Sequence, residues 1–76
     1  MSQIRKVEPM ADYLIQVELD NGSSVMLNMK NRLSTVRFGQ LSDPNFFNDV
    51  TTDGNFIKWH NQVEISVSEV FQLAQK

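Results

Sequence analysis

Seventy-six residues with 41% hydrophobic and 21% charged side chains make one domain, residues 1–76, with a small core. A chain of this length buries only about 60 to 65% of the surface it exposes when unfolded. A formal net charge of −2 does not supply the basic surface that nucleic-acid binding needs, and the absence of cysteine excludes disulfides, thiolate nucleophiles and thiolate metal ligands.

The first ten residues, MSQIRKVEPM, lack the apolar run of a signal peptide, and no stretch approaches a transmembrane length. The expectation is a cytoplasmic protein that does not enter a membrane. Within that stretch IRKVEP reads as a strand ending at Pro9, beside a hairpin that follows. YLIQVELDNGSSVMLNM alternates apolar and polar residues on either side of Asp20-Asn21-Gly22. A two-residue turn would set Val17 against Met26 and Ile15 against Asn28, mixing apolar with polar on one face. A three-residue loop instead pairs Val17 with Val25, Ile15 with Leu27 and Tyr13 with Met29, and requires Gly22 in the left-handed region.

The middle segment, NRLSTVRFGQLSDPNFF, is less regular. Leu33, Phe38 and Leu41 suggest a short helix weakened by Gly39, and Asp43 with Pro44 suits the cap and first position of another helical turn that carries Phe46 and Phe47. DVTTDGNFIKW then predicts a hairpin on a two-residue Asp53-Gly54 turn with Val50 opposite Ile57. A three-residue loop, His60-Asn61-Gln62, pairs Trp59 with Val63 and Ile57 with Ile65. The chain closes on a helix with Ser66 as N-cap, Glu69 completing a capping box, Ile65 and Val70 as a hydrophobic staple, and Val67, Val70, Phe71 and Ala74 as the apolar stripe. These elements predict an α+β domain: a small, mainly antiparallel sheet of about five to six strands in hairpins, with a short middle helix and a C-terminal helix on one face.

The chain's one histidine, His60, has no second histidine with which to build a zinc site, and it reads first as a turn residue. Asp20, Asp49 and Asp53 read as turn carboxylates, Asp12, Glu18 and Glu64 as strand-edge or solvent-face charges. No G-x-S-x-G or Ser-x-x-Lys arrangement occurs, and three glycines make no phosphate cradle. No catalytic residue, cofactor or metal is expected. Trp59 reads as core, with an interface anchor as the other possibility, and the candidate interface is Trp59, His60, Phe46 and Phe47. Two other classes are kept: a small enzyme or ligand-binding protein using His60 with Asp49 or Asp53, and a nucleic-acid-associated regulator using Lys30, Arg32 and Arg37. A homodimer formed through the first strand is a further expectation, opposed by the charges of Arg5, Lys6 and Glu8.

The order of Val7, Pro9, Tyr13, Gly22, Phe38, Leu41, Asp43, Phe46 or Phe47, Val50, Ile57, Trp59, Asn61 and Ile65 resembles the short bacterial family catalogued as domain of unknown function 2442. Members of that family read Trp-Pro-Asn-Gly where this chain has Trp59-His60-Asn61-Gln62. The resemblance therefore implies a type I turn with a left-handed last residue, strain at Gln62, and a gain in stability on replacing His60 with proline and Gln62 with glycine. It also implies a protein-binding module, an antitoxin-like partner of a small neighbouring protein, without catalytic residues to carry over.

Overall fold

The structure, a computed structural model, describes residues 3 to 75. Six strands and a C-terminal helix give an α+β fold, the strands dividing into two three-stranded antiparallel sheets. The first sheet takes β1 (Ile4–Met10), β2 (Leu14–Leu19) and β3 (Ser24–Asn28) in chain order. The second takes β4 (Thr51–Thr52), β5 (Phe56–Trp59) and β6 (Val63–Ser66), and α2 (Val67–Gln75) follows directly. No helix among the described residues is long and apolar enough to cross a membrane.

The hairpin of β2 and β3 forms in the expected register, with Val17 opposite Val25 and Ile15 opposite Leu27. Its loop closes through the Gly22 amide onto the Leu19 carbonyl, and Gly22 sits at φ 91°, where a Cβ would be strained. β1 runs one residue further than expected, to Met10, and bulges between Ile4 and Lys6. The second hairpin is shifted by two residues from the Asp53-Gly54 expectation. Thr52, rather than Val50, faces Ile57, because Asp53 and Phe56 close the turn around Gly54 and Asn55. Side chains fix that choice: the Asp53 carboxylate accepts from the Asn55 and Phe56 amides, and the Thr52 hydroxyl accepts from the Gly54 amide while donating to the Phe56 carbonyl.

Between the sheets, residues 29 to 50 carry two 3₁₀ turns, Lys30–Arg32 and Gly39–Ser42, and the single-turn helix α1 (Pro44–Phe47). As expected, Asp43 caps α1 by accepting from the Asn45 amide and Pro44 takes the first position. Tertiary bonds hold the segment in place. The Tyr13 hydroxyl donates to the Ser42 carbonyl at 2.6 Å, and the Trp59 indole N–H donates to the Phe47 carbonyl at 3.0 Å in the buried interior. The Tyr13 ring meets Phe47 edge-on and Phe47 stacks on Trp59, so one aromatic chain crosses from the first sheet through α1 to the second.

The core gathers Ile15, Val17 and Leu27 of the first sheet with Ile57, Trp59 and Ile65 of the second, all fully buried. α2 adds Val70, while Val67 and Leu73 pack at the margin. Phe71 and Ala74, expected on its apolar stripe, are exposed; the buried positions recur at every third residue instead. The Ser66 hydroxyl accepts from the Glu69 amide, the expected cap. The reciprocal half of the capping box does not form, because the Glu69 carboxylate turns to the Arg37 guanidinium, which also donates to the Glu64 carbonyl on the outer strand β6. Arg37 lies over the Phe38 ring as well.

The Arg37 guanidinium holds the Glu69 carboxyl below the usual carboxylate range, against the opposing effect of partial burial. The Asn55 and Phe56 amides, joined by the Lys58 ammonium, do the same for Asp53. A carboxyl whose folded-state pKa is lowered contributes stability that is complete above its unfolded value and is lost as the pH falls through the folded one. Urea midpoints should therefore decline between about pH 5 and pH 3, and Glu69→Gln should be less stable at neutral pH and decline less over that window. Equal profiles for the variant and the parent would show that the Arg37 bridge adds nothing. A second expected outcome is that Trp59→Phe, which shrinks a buried ring and leaves the Phe47 carbonyl without its donor, lowers the urea-derived stability by about 2 to 4 kcal/mol.

Candidate functional site

The four residues of the candidate interface come together, but as two layers. Trp59 and Phe47 form the inner layer, 0% and 2% exposed: Trp59 is core, as its first reading has it, and Phe47 joins it there instead of at the interface, the indole N–H and both rings being used in holding α1 against β5. The outer layer is His60, exposed on the loop between β5 and β6, and Phe46, half-buried beside it. Their rings lie 5.2 Å apart between centroids, tilted by 31°. Consecutive residues of α1 thus meet consecutive residues of the β5 end, Phe47 with Trp59 inside and Phe46 with His60 outside.

Asp49, just after α1, completes the outer layer. Nε2 of His60 lies 2.8 Å from Oδ2 of Asp49, close enough for Nε2–H to donate to the carboxylate. That hydrogen bond selects the tautomer in neutral imidazole and leaves Nδ1 as an acceptor. The Gln62 side chain, at the end of the same loop, accepts from the Gln40 side-chain NH₂ group and ties the loop to the second 3₁₀ turn. Asp53 does not reach this cluster. Its carboxylate is engaged by its own turn and by Lys58 Nζ at 3.2 Å, which removes it as a partner for His60.

The loop has the expected length but the opposite hand. Trp59 faces Val63 across three residues, and the Gln62 amide donates to the Trp59 carbonyl. His60 and Asn61 both adopt positive φ, 57° and 64°, as in a type I′ turn, and Gln62 does not. The strain expected at Gln62 therefore sits at His60, where proline, fixed near −65°, cannot fit. Positive φ is uncommon for any residue but glycine, though histidine tolerates it better than most, and the Asp49 hydrogen bond and the Phe46 ring are the contacts that hold His60 there.

Phe47 also meets a second strained loop, in which Asp12 and Tyr13 have φ 63° and 62°. No sequence signal marks that pair, since Asp12 reads as an ordinary strand-edge charge. Of the three basic residues considered for nucleic acid, Arg37 is consumed by Glu69 and the Glu64 carbonyl, and Arg32 donates to the Leu73 carbonyl near the end of α2. Lys30 is exposed, and among the described residues its side chain has no bonded partner. Among the described residues no group of three or more His, Cys, Asp or Glu side chains could hold a metal ion.

No family model, no curated protein and no solved structure matches this chain.

The turn geometry reverses the effect expected of proline. His60→Pro should lower stability by more than about 1 kcal/mol, since the imposed φ opposes the native one. Asn61→Gly should raise it by up to about 1 kcal/mol, relief of the left-handed conformation exceeding the added freedom of the unfolded chain. Thermal unfolding of the two variants beside the parent checks both signs.

Proposed function

We propose that this chain is a non-enzymatic protein-interaction module that offers Phe46 and His60 to a partner protein, as the antitoxin-like member of a pair with a small neighbouring protein. One observation carries the reading: a half-buried aromatic ring and an exposed imidazole are fixed side by side on a rigid base, through the Asp49 hydrogen bond outside and the Trp59–Phe47 stack beneath. Aromatic groups held in place before binding lose little freedom when covered, which is the condition under which a small contact acquires affinity. The resemblance to a family of partnered domains supports the same reading.

The Asp49–His60 pair favours a second reading, a small enzyme with Nδ1 of His60 as base. Against it, both side chains are at least half exposed, so bulk water reaches the pair and weakens its electrostatic action. A second copy of the chain is the other candidate partner, paired along β1.

The deciding experiment isolates the chain from its host under gentle conditions, identifies what accompanies it, and measures the reconstituted complex. Phe46→Ser and His60→Asn are expected to weaken binding at least about tenfold, with little change in the unfolding midpoint. A lone 8.8 kDa species by light scattering, with no accompanying protein, would overturn both the partner and the homodimer readings. Binding indifferent to both substitutions would move the interface elsewhere.

A further inference from the structure

We infer that the cleft between β3 and the end of α2 binds a small aliphatic carboxylate, held by Arg32 at its polar side and by Met26, Leu73 and Ala74 at its apolar side. The cleft has a volume of about 420 Å³ and is lined by Met26, Asn28, Asn31, Arg32, Leu73 and Ala74. That volume lies in the range of small-molecule sites, about 300 to 1,000 Å³.

The three arginines of the chain differ in how they are used. Arg5 meets Glu18 at 2.6 Å and Arg37 meets Glu69, each guanidinium facing a carboxylate. Arg32 makes no ion pair among the described residues. Its Nη2 donates to the Leu73 carbonyl at a long 3.4 Å, and its Nε is buried without an acceptor. A guanidinium carries five donors in a planar fork that matches a carboxylate, and a buried donor left unpaired is costly. The contact with Leu73 accounts for one donor as a helix C-terminal cap; Nε is shielded, so a carboxylate in the cleft would meet the terminal Nη groups.

The remaining lining fits the same ligand. Among the described residues no acidic side chain borders the cleft, and Arg32 offsets the partial negative charge of the α2 carbonyls at its edge. Asn28 uses its carbonyl oxygen to accept from the Lys30 amide, which leaves its NH₂ group as a donor, and Asn31 supplies a second carboxamide. Met26, 48% exposed on the outer face of the first sheet, and Leu73 with Ala74 on α2 give a hydrocarbon wall. A flexible thioether adapts to an alkyl chain without a preformed shape. A bare inorganic anion would leave that wall in water, and a neutral alkyl group would leave the guanidinium unpaired. An alkyl carboxylate satisfies both. This inference is independent of the partner proposed for Phe46 and His60, which lie outside the cleft lining.

The test titrates the whole ¹⁵N-labelled chain with hexanoate, with hexanamide as its neutral counterpart and with inorganic phosphate as the bare anion. Saturable amide shifts confined to the six lining residues are expected with hexanoate, at an affinity at least about tenfold above that of either control. Arg32→Lys should weaken hexanoate about tenfold, because an ammonium cannot match the fork. Ala74→Phe, at an exposed helical position, should fill the cleft and abolish the shifts while leaving Arg32 intact, and it decides the matter if the Arg32 variant does not fold. Equal responses to hexanoate and hexanamide, a preference for phosphate, shifts elsewhere on the surface, or undiminished binding by Ala74→Phe would each overturn the inference.

Discussion

A single buried hydrogen bond, from the Trp59 indole to the Phe47 carbonyl, ties α1 to the second sheet. α1 is one turn long, too short to be stable by itself, since helix nucleation alone is unfavourable until several turns have formed. It exists because its C-terminal carbonyl is accepted into the core by an indole and its Phe47 ring fills the space between Tyr13 and Trp59. Once α1 is fixed, Phe46 and Asp49 have their positions, and the surface around His60 follows from them. The exposed layer is thus shaped by the buried one, and neither half of the arrangement is separable from the indole.

The elements whose shape is set by local alternation were readable in the amino-acid sequence. The first hairpin required a three-residue loop because any other register would have mixed polar with apolar residues, and Gly22 marked where the backbone had to turn left-handed. The Ser66 and Asp43 caps were equally legible, each being a short side chain that accepts from an amide two or three residues ahead.

What could not be read was decided by contacts between residues distant in the chain. The second hairpin slipped by two because Asp53 accepts two amides of its own turn, an arrangement the alternation of Val50 and Ile57 does not reveal. Glu69 left its capping box for Arg37, 32 residues away. The handedness of the His60 loop depended on Asp49 and Phe46, which approach it only after α1 has docked. For the candidate site, the alternation of the odd-numbered residues marked Trp59 as core and His60 as a turn residue, but nothing in Phe46-Phe47 says which of the two faces inward. The cleft at Arg32 was invisible for the same reason, since its walls come from β3 and from α2, far apart in the chain.

Each sheet is built from one continuous stretch of chain, and this bears on how the protein would respond to being cut. Val36 stands fully exposed at the tip of the connecting segment, far from both sheets in sequence, where a protease finds backbone with little side-chain cover. A single nick there would divide the molecule into a piece holding β1 to β3 and a piece holding α1, β4 to β6 and α2, with every strand still bonded to its covalent neighbours. What would keep the pieces together is the non-covalent seam of Tyr13 on Phe47 and Ser42, the Ile4 amide on the Gly54 carbonyl, and α2 along β3. The fold is in this sense a heterodimer whose subunits share a tether, and mixing the separated halves would turn its internal cohesion into an association constant.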